Sequence, residues 1–189
     1  MYYAGQGVSQ DYVKAAHYYS LAADPSRAAS LNRRWGYVMK AGDDRAQTQL
    51  GFMYAHGLGV QKYYAQALYW YNKASDQGNI QATTNLGWLY ENGYGVTQDY
   101  AEAAALYLKA ASGGNARAAA NIGNFYSTGQ GVQRDDEQAF FWMAVAAERM
   151  SGPSRKEVRG FRDTLAEKLT ATQLSLQRQR VANWLASHP

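Results

Sequence analysis

Apolar and polar positions in this chain recur every 36 residues. Ala82, Leu86, Gly87 and Tyr90 fall at i, i+4, i+5 and i+8, which is one face of a helix. The preceding block carries Ala46, Leu50, Gly51 and Tyr54, and the following block carries Ala118, Ile122, Gly123 and Tyr126. A second stripe lies later in each block. Ala103, Leu106, Tyr107 and Ala110 fall at i, i+3, i+4 and i+7, with copies at Ala67, Trp70, Tyr71, Ala74 and at Ala139, Trp142, Met143, Ala146. The pattern predicts two helices per block. A fixed period of roughly 20–50 residues is the mark of a stacked repeat array.

Between the helices sits Gly-x-Gly-Val: Gly57/Gly59/Val60, Gly93/Gly95/Val96 and Gly129/Gly131/Val132. The first glycine is placed to stop a helix in the left-handed conformation. Asp99 with Glu102, and Asp135 with Gln138, then have capping-box spacing at the start of the second helix. Tyr63 occupies that position in the earlier block, so a less sharp start is expected there. Gly51, Gly87 and Gly123 lie inside the first helices, where glycine costs about 1 kcal/mol relative to alanine. Their recurrence predicts close helix approach, with the small alanines of the second helices as partners.

Ala82, Leu86-Gly87, Tyr90, Gly93-Tyr94-Gly95-Val96, Asp99, Ala103, Tyr107 and Ala110-Ala111, with their copies, closely resemble the Sel1-like repeat, a branch of the tetratricopeptide superfamily. The resemblance covers about residues 1–24 and 42–150. It implies an all-α fold, a right-handed α/α superhelix or solenoid. The expected divisions are a truncated repeat at 1–24, repeats at 46–81, 82–117 and 118–150, and capping helices at 151–189. Residues 25–45 read either as a basic helical insertion or as a degenerate repeat. The chain starts inside a repeat, as a fragment, a truncated reading frame or a degenerate first unit would. That uncapped end offers a face for self-association.

After Met150 the period ends. Ser154 and Glu157 have capping-box spacing, and Val158, Phe161, Leu165 and Leu169 form a stripe. A last helix is expected from about Thr172, with Leu174, Val181, Trp184 and Leu185 on one side. One apolar and one polar face is what a terminal cap needs. The basic residues Arg155, Lys156, Arg159 and Arg162 read as its solvated face.

Composition narrows the function. The 189 residues include 16 tyrosines and 5 tryptophans, many of them at the repeated packing positions. The chain has no cysteine, which excludes a disulfide framework and a cysteine zinc site. No apolar run approaches the roughly 18–20 residues of a membrane span. Net charge is +4, yet residues 46–150 carry −2, while 25–45 carry +3 and 151–189 carry +4. A nucleic-acid groove needs basic charge on the recognition surface, so the acidic repeats argue against nucleic acid.

Chemistry is sparse. The Gly-x-Gly-Val loops lack the continuation of a phosphate-binding loop. His17, His56 and His188 lie in different blocks and none pairs at metal-ligand spacing, so no metal or other cofactor is expected. Neither Gly-x-Ser-x-Gly nor Ser-x-x-Lys occurs. The second absence bears on the β-lactamase-like activity attributed to some cysteine-rich relatives. Asp135, Asp136 and Glu137 suit a helix start better than an acid/base pair.

The resemblance to tetratricopeptide proteins implies that the first helices line a concave wall and hold a protein or peptide there. The residues expected to face it are Arg45, Thr48, Phe52 and His56, then Gln81, Thr84, Trp88, Glu91 and Asn92, then Arg117, Asn124, Ser127 and Thr128. Phe52, Trp88 and Asn124 share one register, and an aromatic row beside arginine is anchor chemistry. The expected function is a non-enzymatic scaffold. The rival readings are a cell-wall glycan binder and a β-lactamase-like hydrolase.

Overall fold

Six of the first seven described helices start on a short polar side chain that accepts a backbone hydrogen bond. The computed structural model describes residues 2–5, 9–24 and 42–188, so most of the segment read as an insertion or a degenerate repeat lies outside the described residues. Asp11 accepts a hydrogen bond from Lys14 N and opens α1, Tyr12–Ala23. Asp43 opens α2, Asp44–His56, and Asn79 opens α4, Ile80–Asn92. Asp99 opens α5, Tyr100–Ser112, and Asn115 opens α6, Ala116–Thr128. Asp135 opens α7, Asp136–Arg149. Only Tyr63, before α3 at Tyr64–Asp76, lacks a side-chain cap among these seven, and α3 still begins at the equivalent residue.

The first helices α2, α4 and α6 end on glycine in the left-handed region, at φ +71° for Gly57, +66° for Gly93 and +76° for Gly129. Leu58 N, Tyr94 N and Gln130 N reach back to the carbonyls of Met53, Leu89 and Phe125 at 3.0, 2.9 and 3.1 Å. This is the Schellman closure that satisfies the last carbonyls of a helix. A second backbone bond then ties the loop shut: Tyr63 N donates to Tyr54 O, and Asp135 N to Tyr126 O, each at 2.9 Å.

Contacts divide the chain into two units, Met1–Gln98 and Asp99–Pro189. In the first, α1 packs on α2, α2 on α3 and α3 on α4. Leu50, Met53, Tyr71, Ala74 and Leu89 are buried there. Polar groups link successive turns: Gln77 Nε2 donates to Gln47 Oε1 at 2.7 Å, and Asn79 Nδ2 to Asp44 Oδ2 at 2.6 Å. The interior glycine of α2 does meet a neighbour, but an aromatic one. A Cβ on Gly51 would lie 2.7 Å from the ring of buried Tyr71, not against an alanine.

In the second unit α5 packs on α6 and α6 on α7, and α8 (Gly152–Ala166) and α9 (Ala171–Ser187) both pack on α7. Every residue from Ala139 to Ala147 is buried, not only the predicted stripe. A helix covered on several sides is apolar all round. A Cβ on Gly123 would meet Met143 Cγ at 3.0 Å and the Ala139 carbonyl at 3.3 Å.

The tail differs from expectation in its caps. α8 starts at Gly152 with Pro153 in its first turn, which places Ser154 inside the helix, so Ser154 and Glu157 form no capping box there. The box with both arms is made by Thr170 and Gln173 at the start of α9. Leu165 and Val181 are buried, whereas Phe161 is exposed. Gln177 is buried and donates to Glu137 Oε2 at 2.6 Å, while Gln173 donates to Glu137 Oε1 at 2.8 Å. The acidic cluster at the start of α7 thus divides its work: Asp135 caps, Asp136 pairs with Arg134, and Glu137 anchors α9.

Among the described residues there are helices and turns but no strand, so the fold is an all-α helical-repeat solenoid. No described helix is long and apolar enough to cross a membrane.

Candidate functional site: an aromatic face on the first helices

The second glycine of each Gly-x-Gly-Val loop explains the site's geometry. Gly95 has φ +73°, and a Cβ there would sit 2.7 Å from the backbone carbon of Tyr64. Gly59 lies in the same way on the backbone of Tyr12, and Gly131 on that of Tyr100. Each loop therefore rests on the start of the preceding repeat's second helix, where only glycine fits. In the first unit this close approach sets Tyr94 on Tyr64, with ring centroids 4.5 Å apart and planes 4° from parallel.

Trp88 joins that pair from α4. Its ring lies 5.0 Å from Tyr94 and 6.4 Å from Tyr64, at 60° to each. The His56 ring lies 6.4 Å from it at 17° from parallel, and His56 in turn lies 4.1 Å from Phe52. Phe52 meets Tyr3 edge-on at 6.5 Å. The Lys62 ammonium sits 4.7 Å over Tyr64. Phe52, Tyr64, Trp88 and Tyr94 are each half-buried, and His56 is exposed. Partial burial, and then the charge of Lys62, push the His56 imidazole below its usual value of 6.5. The neutral ring is thereby favoured among the aromatics.

The structure sorts the sequence-predicted residues. Phe52 and Trp88 do belong to one cluster, joined through His56. Arg45, Gln81 and Asn92 are exposed, and Glu91 is half-buried. Thr48 and Thr84 do not face solvent: they are 4% and 1% exposed, and their hydroxyls donate to Asp44 O and Ile80 O. Thr48 and Thr84 thus interrupt the stripe: Arg45 and Gln81 before them, and Phe52, His56, Trp88 and Asn92 after them, are exposed or half-buried. In the second unit Arg117, Asn124 and Thr128 are exposed and Ser127 is half-buried. Ser127 and Thr128 both donate to the Asn124 carbonyl, at 2.8 and 3.0 Å.

Tyr3, Lys62, Tyr64 and Tyr94 were absent from the sequence-predicted face. The available signal was Tyr12, Tyr64 and Tyr100 at one register, which stands out only once the second glycine is seen to press on it. Among the described residues no group of three or more His, Cys, Asp or Glu is placed to hold a metal ion.

The Sel1 repeat family model matches residues 1–24, 44–79, 80–115 and 116–149. This chain belongs to the Sel1 repeat family. A Sel1 repeat protein from Oxalobacter formigenes has a similar solved structure, with 29% identity and a TM-score of 0.68. That likeness covers 97% of this chain and 69% of that one. A second solved structure is a protective antigen of uropathogenic Escherichia coli strains displaying an SLR fold, with 24% identity and a TM-score of 0.49. It matches over 100% of this chain and 52% of its own length. No curated protein matches the chain. Sel1 repeat proteins are generally protein-interaction scaffolds, and the family is typically non-catalytic.

Proposed function

We propose that this Sel1 repeat protein is a non-enzymatic scaffold that holds a segment of a partner protein on the first-helix face of residues 1–98. One observation carries this reading: the half-exposed cluster of Phe52, His56, Trp88 and Tyr94, with Arg45, Gln81, Glu91 and Asn92 also on α2 and α4. Large aromatic anchors flanked by polar groups are the composition of binding hot spots. A half-exposed tryptophan among other rings loses little rotamer freedom when a partner covers it, which keeps the entropic cost of binding low. Trp88 is the anchor in this proposal. In the second unit the equivalent register, Arg117, Asn124, Ser127 and Thr128, is polar and carries no aromatic anchor.

The test is a displayed peptide library selected on the intact chain and rescreened on Trp88→Ala. The expected result is a set of binders that lose about 30-fold or more on the variant, equivalent to about 2 kcal/mol, while its melting temperature stays near the parent's. Binders indifferent to Trp88→Ala would overturn the assignment. Saturable binding of peptidoglycan fragments that is lost in Trp88→Ala would replace the protein partner with a glycan.

A further inference from the structure

The second unit contains a groove of about 680 Å³ that the proposed scaffold role does not use. Leu108 of α5, Val132 of the loop, and Phe141 and Trp142 of α7 supply apolar lining. Arg134 and Arg180 bring guanidinium groups to the same groove. The groove is open to solvent on one side and is large enough for a small molecule to lie along it.

Arg180 is the informative residue. Its guanidinium lies 4.9 Å over the Phe141 ring, and Nη1 donates to Gln177 Oε1 at 2.8 Å. Gln177 is only 1% exposed, and its own direction is fixed by donation to Glu137 Oε2 at 2.6 Å. A buried amide and a ring therefore hold the cation in place, and neither neutralises it. Among the described residues no carboxylate forms an ion pair with Arg180. Arg134 is already shared with Asp136 at 3.1 Å. Asp135 also lines the groove, with its Oδ1 accepting from Gln138 N, so Arg180 is the cation there without an ion-pair partner among the described residues, and it suits a single negative charge better than a dianionic phosphate. A planar guanidinium fork matches a carboxylate, and the adjoining wall matches an apolar body.

We propose that this groove binds a small apolar carboxylate, with the carboxylate on Arg180 and its hydrocarbon against Leu108, Val132, Phe141 and Trp142. The site is built from residues of the second unit and shares none with the aromatic cluster of the first.

The experiment titrates the full, nitrogen-15-labelled chain with 3-phenylpropanoate and, separately, with the uncharged 3-phenylpropanamide. Saturable amide shifts centred on Val132–Gln138 and Arg180 are expected, with the amide analogue about tenfold weaker or more. Arg180→Gln should weaken the acid to a similar degree and leave the amide's affinity unchanged. Arg134→Gln, which leaves the Gln177–Glu137 anchor intact, should produce a smaller loss and serves if Arg180→Gln loosens α9. No saturable shift, shifts centred elsewhere, or equal affinity for acid and amide would each overturn the proposal.

Discussion

The ring of Tyr71 occupies the space where a side chain on Gly51 would begin, with Cδ1 and Cε1 both 2.7 Å from an ideal Cβ. Tyr71 is 1% exposed, so its ring has nowhere to move. Overpacking of this kind costs about 1–3 kcal/mol, against about 1 kcal/mol gained when alanine replaces a helical glycine. Gly51→Ala should therefore destabilise the parent by about 1 kcal/mol. In a Tyr71→Leu background the same change should stabilise. Urea midpoints of the four proteins measure both effects, and an equal effect in both backgrounds would mean the ring is not the obstacle.

The two loop glycines should differ in cost although both have positive φ. A Cβ on Gly93 meets the Gln98 side chain at 3.2 Å, whereas one on Gly95 meets the Tyr64 backbone at 2.7 Å. Gly93→Ala bears the left-handed strain of about 1–2 kcal/mol and a tight but yielding contact with Gln98 Cβ and N at 3.2 and 3.3 Å. Gly95→Ala bears that strain and also displaces the loop from α3. Thermal melts should rank Gly95→Ala well below Gly93→Ala, and the Tyr94–Tyr64 ring contact should be lost only in Gly95→Ala, read from ring-proton shifts.

His56 predicts a pH dependence. Its folded pKa lies below the ordinary 6.5, so the unfolded chain binds the proton more readily. Stability is therefore full above pH 6.5 and falls as the pH drops through the lower folded value. Melts between pH 8 and pH 5 should show a steeper loss in the parent than in His56→Gln. Lys62→Gln should lessen the loss as well, because the Lys62 charge is the second cause of the shift. Parallel pH profiles for parent and His56→Gln would count against the imidazole's part in the cluster.

Glu137 should be costly to remove. Its two oxygens accept from Gln173 and from buried Gln177. Glu137→Ala leaves the Gln177 amide without that acceptor and frees Arg180 from its fixed position. Loss of these charge-assisted bonds predicts a destabilisation of about 2–4 kcal/mol. Hydrogen exchange should localise the loosening to α9, and unchanged α9 protection would refute the anchor.

Much of the helical plan was legible beforehand. The Gly57, Gly93 and Gly129 stops and the Asp99 and Asp135 caps are local events, decided by φ preference and by side-chain reach over a few residues. The Ser154 box failed because Pro153 claimed the first turn of α8. Trp88 and Phe52 were legible as a shared register, but Thr48 and Thr84 were misplaced because periodicity shows a face and not how far along the helix a neighbour covers it. Tyr94 was missed because Leu58 and Gln130 stand at its position in the other loops, so no recurrence marked it.

The sequence by itself determined the 36-residue unit, the glycine stops at Gly57, Gly93 and Gly129, the Asp99 and Asp135 caps and the Sel1 repeat family, since these follow from spacing and backbone preference. Tertiary structure alone decided which neighbour each glycine admits: Tyr71 at Gly51 and the Tyr64 backbone at Gly95. It also decided that α7 is buried throughout Ala139–Ala147, because three other helices pack on it. The aromatic cluster and the Glu137–Gln177–Arg180 chain belong to this second class. Their members come from different helices and loops, and only packing brings such residues within reach of one another.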